Sequence, residues 1–270
     1  MKQILFSVGS FSLRSYGVTL VLAILLGLGV AYFLASGEDA KKYRKHLLDV
    51  TVWGIVGGII GARIWQVLFY EWDYYSQHLA EIIMIWHGGM SILGTLVGAA
   101  VAGLLYARKH KVDFWILADI AAPGLIFGQA VGRIACFLNG DAYGTPTKLG
   151  FGLVYPPGTP AYDAFGNQPL WPAEIWEGQW DMVVFALILI LSRWKKWPKG
   201  ILFVTYIVLY SLGRFSLEFL RGDSPHVLGL TSAQWSNIGM FAVAVTLGII
   251  LSVKSKKVVV ANKKPVKGRR

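Results

Sequence analysis

Seven apolar stretches, at residues 17–35, 47–69, 90–107, 114–138, 176–194, 200–220 and 235–253, constrain this chain more than any other feature. Each approaches or exceeds the roughly 20 residues that a helix needs to cross a bilayer. Only 15% of the 270 residues are charged, against about 25% in soluble proteins. In lipid each backbone polar group must be satisfied within the chain, so such stretches form helices. The expected fold is an all-α integral membrane protein with seven transmembrane helices, forming one domain over residues 1–253. The fifth stretch is the least clean, because its apolar core, 182–191, is short. The connection 139–175 holds six of the ten prolines and is expected to form a small, irregular but ordered cap between helices 4 and 5.

A net charge of +11 would suit nucleic acid, but its distribution points to a bilayer. Lys41, Lys42, Arg44 and Lys45 follow helix 1; Arg108, Lys109 and Lys111 follow helix 3; Arg193, Lys195, Lys196 and Lys199 follow helix 5; eight more lie in the tail 254–270. That places 19 of the 26 basic residues on one side, against Lys2, Arg14, Lys148 and Arg221 on the other. By the positive-inside rule the N-terminus is expected outside and the C-terminus in the cytoplasm, with the tail as an inner-surface anchor to anionic lipid and no nucleic-acid partner. No cleaved signal peptide is read, so helix 1 is expected to be retained. Cys136 is the single cysteine, which excludes an intrachain disulfide and a cysteine metal cluster. No HExxH, Walker A, GxSxG or cysteine–histidine zinc pattern is present, so neither a metal nor another cofactor is expected. Cys136 reads as a small hydrophobe, and Asp119, near the inner end of helix 4, as a packing or solvated residue. Glycines at helical spacing, Gly54, Gly57, Gly58 and Gly61 in helix 2, Gly94 and Gly98 in helix 3, and Gly124, Gly128 and Gly132 in helix 4, are expected to pack these three helices closely.

Three arginines lie inside helices: Arg63, Arg133 and Arg214. With helices 2, 4 and 6 running outward, each sits roughly 7–9 Å below the outer boundary at about 1.5 Å per residue. Tyr16 and His87 stand at the outer starts of helices 1 and 3, so five helices are expected to bring polar groups to one outer level. Charged groups at such depth are expensive and usually functional. Tyr210, Arg214 and Glu218 are four apart and share a helix face, which Arg221 extends. An Arg214–Glu218 ion pair is compatible with this stripe, but a pair that only neutralised itself would be dispensable. Arg133 leads into an Asn139-Gly140-Asp141 turn. It could snorkel to headgroups, or Arg133 and Arg214 could grip one phosphate through bidentate bonds. Arg63 is open to ion pairing, headgroup contact or substrate contact. His87 precedes Gly88-Gly89, where a neutral imidazole could take a proton from a thiol or hydroxyl and the glycines allow close backbone approach.

On these residues the chain resembles the bacterial phosphatidylglycerol–prolipoprotein diacylglyceryl transferase family. The resemblance runs over nearly the whole chain. It is carried by Tyr16-Gly17, His87-Gly88-Gly89, Gly132-Arg133 through Asn139-Gly140-Asp141 and Tyr143-Gly144, Pro172 to Glu177, and Arg214-Phe215 with Glu218-Phe219 and Arg221. It implies a plasma-membrane enzyme whose site faces the outer leaflet. The thiol of a lipobox cysteine in a prolipoprotein attacks a glycerol carbon of phosphatidylglycerol; a thioether forms and glycerol phosphate leaves. By position, the resemblance implies that Arg133 and Arg214 bind the phosphate, that His87 deprotonates or orients the thiol, and that Tyr16, Asn139, Asp141, Tyr210 and Glu218 shape the site. Gly88, Gly89, Gly140 and Arg221 join them as substrate-binding positions. The chain departs from the family at Ala135-Cys136, where Gly-Asn is usual, at Asp141, where Glu is common, and at Trp171, where His is usual. These departures keep open a related intramembrane transferase with a different acceptor. Buried arginines alone would also suit an anion transporter, but no inverted repeat or broken helix pair is evident.

Overall fold

The structure is a computed structural model; it describes residues 1–9, 11–35, 38–193, 197–224 and 226–262. Lys195, Lys196 and residues 263–270, which carry part of the predicted basic face and tail, lie outside the described residues, as do Gly37 and the end of the predicted fifth span at Trp194. The helices in chain order are α1 (Ser15–Leu34), α2 (Glu38–Trp65), α3 (Trp72–Tyr75), α4 (Ile92–Lys109), α5 (Phe114–Asn139), α6 (Pro160–Phe165), α7 (Ala173–Ser192), α8 (Ile201–Leu217) and α9 (Ser232–Asn262). Seven of them, α1, α2, α4, α5, α7, α8 and α9, are long and apolar enough to cross a membrane, and each falls on one of the seven apolar stretches. The fifth span starts at Ala173 rather than 176, drawing Glu174 and Glu177 into the helix. Two small antiparallel hairpins, β1 (Ile4–Val8) with β2 (Phe11–Arg14) and β3 (His226–Val227) with β4 (Leu230–Thr231), add strand that an all-helical reading did not include.

Burial is inverted relative to a water-soluble protein. Helix α1 buries Ser15, Ala23, Gly27 and Ala31, a stripe of small residues, while Val21, Leu22, Leu25 and Leu26 lie exposed. Lipid tails are as apolar as leucine, so helices in membranes gain from close backbone approach rather than from hiding large side chains.

The chain forms two units, Met1–Ala31 with Asp119–Arg270, and Tyr32–Ala118. In the second unit the glycine ridges of α2 and α4 interlock as expected: a methyl on Gly61 would stand 2.7 Å from the Gly98 Cα. In the first unit the ridge of α5 meets α1, a partner the sequence reading did not name. A methyl on Gly124 would lie 2.8 Å from the Ala31 Cβ and 3.1 Å from the Gly27 carbonyl carbon. Helix α1 supplies the matching small surface there, while Gly54 and Gly132 face open space. Ala122 and Ile126 of α5, Val184 and Ile188 of α7 and Tyr206 of α8 form a buried core in this unit. Asp119 caps α8: its carboxylate accepts from the Gly200 N–H at 2.6 Å and the Phe203 N–H at 2.9 Å. A carboxylate there satisfies orphan donors and opposes the positive helix end.

The predicted cap is ordered. Tyr143, Tyr155, Ala161 and Leu170 form its own small core, and Leu170 bridges to both Pro146 and Leu153. The cap also pairs with the chain after α8: the Thr145 N–H donates to the Leu220 carbonyl at 2.8 Å and the Gly222 N–H to the Tyr143 carbonyl at 3.0 Å.

Candidate functional site

Helices α7 and α8 run antiparallel, so the start of one meets the end of the other. Gly213 sets how closely. A methyl there would collide with the Trp180 indole, whose N–H donates to the Leu209 carbonyl at 3.1 Å. On the other side of α7, a methyl on Gly178 would stand 3.2 Å from the Arg133 Cβ of α5. These two approaches bring Glu177, at the second turn of α7, to Arg214, in the last turn of α8, and to Arg133. Gly213→Ala is therefore expected to push α7 from α8 and destabilise the protein by about 1–3 kcal/mol, the usual cost of overpacking; thermal unfolding in detergent measures it.

Glu177 is the hub. Its carboxylate is 2% exposed and meets three guanidinium groups: Arg133 Nη2 at 2.6 Å, Arg214 Nη1 at 3.1 Å and Arg221 Nη1 at 3.2 Å. The second charges are also matched. Arg214 pairs with Glu218 one turn on along α8, and Arg221 makes a fork with Asp223, two bonds of 2.7 Å. Burial works against the Arg221 cation, but the Asp223 and Glu177 carboxylates outweigh it and raise its pKa. Glu218, 1% exposed, also accepts from the Thr231 hydroxyl at 2.8 Å. Thr231 is held by a capping box at the start of α9: its hydroxyl accepts from the Gln234 N–H at 3.1 Å, and its own N–H donates to the Gln234 side chain at 2.9 Å.

The arginines are not used up by this network. Arg133 and Arg214 keep 18% and 13% of their side-chain surface. Among the described residues Glu177 and Glu218 take one guanidinium nitrogen of each, Nη2 of Arg133 and Nη1 of Arg214, and the remaining N–H groups bond to nothing. A planar fork with free donors in an apolar setting suits an anionic oxygen better than a lysine would. Tyr210, one turn before Arg214, lies within electrostatic reach of both arginines and of Asp181.

The turn after α5 is as expected. Gly140, at φ +73°, ends the helix, and the Asn139 side-chain amide donates to Asp141 at 2.7 Å. Tyr16 and Cys136 lie within electrostatic reach of Asp141 and Arg133. Serine would keep a hydroxyl donor beside Asp141, so Cys136→Ser is expected to retain activity within about threefold, since a hydroxyl exchanges for the thiol without stranding its partner; a large loss in a transfer assay would instead assign the thiol a chemical role. Trp171 packs at an angle in an aromatic cluster with Phe151 and Trp176, centroids 5.2 and 5.0 Å away. Next to it Glu174, fully buried, accepts from the Tyr155 hydroxyl, and burial followed by this carboxylate raises the Tyr155 pKa. The cap is thereby tied to the first turn of α7.

The first unit thus gathers Tyr16, Arg133, Asn139, Gly140, Asp141, Tyr210, Arg214, Glu218 and Arg221. Sequence reasoning passed over Glu177 as a hub, and with it Asp181 and Thr231. Two signals pointed to them: acidic residues at 174, 177 and 181 leading into an apolar stretch, and the Thr-x-x-Gln cap at 231–234. His87, Gly88 and Gly89 belong to the second unit. His87 is exposed, and both glycines have positive φ, +87° and +69°. Arg63 sits beside them, but its donors go to backbone carbonyls, not to an ion pair.

The fold and site define a protein with seven helices long and apolar enough to cross a membrane, in which three arginines gather on one buried carboxylate. The prolipoprotein diacylglyceryl transferase family profile matches residues 3–250. Similar proteins include a phosphatidylglycerol–prolipoprotein diacylglyceryl transferase of Acaryochloris marina, 41% identical over 85% of this chain and 83% of its own length. Others carrying the same name come from Trichormus variabilis, 36% identical over 91% of this chain and 86% of its own, and Listeria welshimeri, 36% identical over 94% and 88%. The chain belongs to the prolipoprotein diacylglyceryl transferase family.

Proposed function

We propose that this protein transfers the diacylglyceryl group of phosphatidylglycerol to the thiol of a lipobox cysteine in a prolipoprotein, the first step of lipoprotein maturation. The observation that carries this reading is the family match over residues 3–250. The arrangement of charges supports the roles. The thiolate sulfur attacks the glycerol carbon that bears the phosphate oxygen. A C–S bond forms, the C–O bond breaks, and its electron pair leaves on glycerol phosphate. A phosphate ester leaves readily only if its growing charge is stabilised, and the free donors of Arg133 and Arg214 are the groups assigned to that task. Glu177 and Glu218 hold the two guanidinium groups in place, and Arg221 adds positive field. For His87 we retain the role implied by the resemblance, taking the thiol proton, because a thiol is mostly protonated near neutral pH. Tyr16, Asn139, Asp141 and Tyr210 shape the site and Gly140 supplies its turn, while for Gly88 and Gly89 we retain the substrate-binding role implied by the resemblance. The charge distribution supports an orientation with the N-terminus outside and the basic tail inside, and the resemblance implies the bacterial plasma membrane with the site toward its outer leaflet.

The test is reconstitution in liposomes with phosphatidylglycerol and a lipobox peptide. Glycerol phosphate should be released in proportion to thioether formed, and not at all when the peptide cysteine is replaced by serine. Transfer to some other acceptor would favour the related transferase. Anion flux without any covalent product would favour a transporter.

A further inference from the structure

We infer that Arg63 is a positioning residue that holds the backbone of residues 81–89, and with it His87, rather than a ligand for substrate. The inference deepens the proposed function and rests on it where it concerns catalysis. Arg63 is 5% exposed and makes five hydrogen bonds, all to backbone carbonyls of this one segment. Nε donates to Ile82 at 2.8 Å; Nη1 donates to Gly88 at 2.7 Å and Gly89 at 2.9 Å; Nη2 donates to Glu81 at 2.5 Å and Met84 at 3.4 Å. A guanidinium has five N–H groups, so none remains for a phosphate. The flat face of the group lies on the Tyr75 ring, 4.8 Å from its centroid.

The segment has little else to hold it. It consists of two short 3₁₀ turns, Leu79–Ile83 and Ile85–His87, neither of which buries a residue. Leu79, Ile83 and Trp86 are exposed. With no apolar core of its own, the segment takes its backbone geometry from the one buried cation that bonds five of its carbonyls. The glycines after His87 fit this role. Gly89 has φ +69°, and a methyl there would stand 3.0 Å from Arg63 Nη1 and 3.1 Å from the Tyr75 hydroxyl. Their carbonyls point to Arg63, which explains why two residues in the left-handed region follow the histidine.

The test is Arg63→Lys in the full chain, in detergent with phosphatidylglycerol and a lipobox peptide. Lysine keeps the charge but offers three donors from a single point. Amide exchange over residues 79–90 should rise by roughly tenfold or more, with α8 unchanged, as for local release of a segment. The turnover number should fall roughly 10–100-fold, the usual cost of misplacing a catalytic group by about an ångström, while KM for phosphatidylglycerol moves less than about threefold. If the lysine protein does not fold, Tyr75→Leu removes the ring under the guanidinium and should raise exchange in the same segment by a smaller factor. Unchanged exchange in both variants overturns the inference. So does a raised KM with exchange unchanged, which would make Arg63 a substrate ligand, or faster exchange with full turnover. A wild-type protein that transfers nothing would strike the proposed activity instead, and the exchange data would still decide what Arg63 holds.

Discussion

Glu177→Gln is expected to be among the most damaging single substitutions in the first unit. The carboxylate is 2% exposed and answers Arg133, Arg214 and Arg221 at once. An amide of the same shape would keep the volume and lose the charge, leaving three guanidinium groups converging on a neutral acceptor. Removing one partner of a buried ion pair costs about 3–5 kcal/mol. Here one carboxylate serves three cations, so the loss should sit at the upper end of that range and register as a drop of several degrees in the unfolding temperature in detergent. Transfer should fall with it even at temperatures where the variant is folded, because Arg133 is no longer drawn toward Arg214. A Glu177→Gln protein with wild-type thermal stability would show that the arginines are held together by something other than this carboxylate.

Arg133→Ala should give the opposite signature: a large loss of activity with a small loss of stability. Glu177 retains two cations when Arg133 is removed, and Arg214 retains both Glu177 and Glu218. The charge network therefore closes without Arg133, and the protein should insert and unfold nearly as before. The chemistry does not close. Removing one donor aimed at a developing oxyanion costs roughly 10²–10³ in turnover, and Arg133 offers a fork. Arg133→Lys should recover only part of this, since an ammonium is a point charge and cannot present two parallel donors. Turnover of Arg133→Ala within about tenfold of wild type would remove Arg133 from the phosphate site, because it falls short of the loss that one such donor carries.

The two variants separate what was legible in the amino-acid order from what was not. Seven spans could be read because hydropathy over a bilayer-length window is a local property. The stripe Tyr210, Arg214, Glu218 could be read because helical periodicity places four-apart residues on one face. The Asn139-Gly140-Asp141 turn was visible because glycine after a helix marks its end. Glu177 was not, because its importance lies in three partners that are 44, 37 and 44 positions away in sequence. Only the close approaches at Gly178 and Gly213 bring them together, and glycine in an apolar helix looks the same whether it faces a neighbour or lipid: Gly132 and Gly213 are alike in sequence, yet one faces open space and the other a tryptophan. For the same reason α1 was not recognised as a partner of the α5 ridge. Arg63 remained open between three readings because its carbonyl partners belong to the backbone, which carries no side-chain signature.

The most direct test of the central claim is mass spectrometry of a lipobox peptide after incubation with phosphatidylglycerol and purified protein, wild type and Arg133→Ala side by side. A diacylglyceryl mass gain on the peptide cysteine is expected with the wild type, and none above background with the variant although it unfolds at nearly the same temperature. A well-folded wild type that adds no mass would contradict the proposed acceptor, and equal gains from both proteins would contradict the assignment of the phosphate to Arg133.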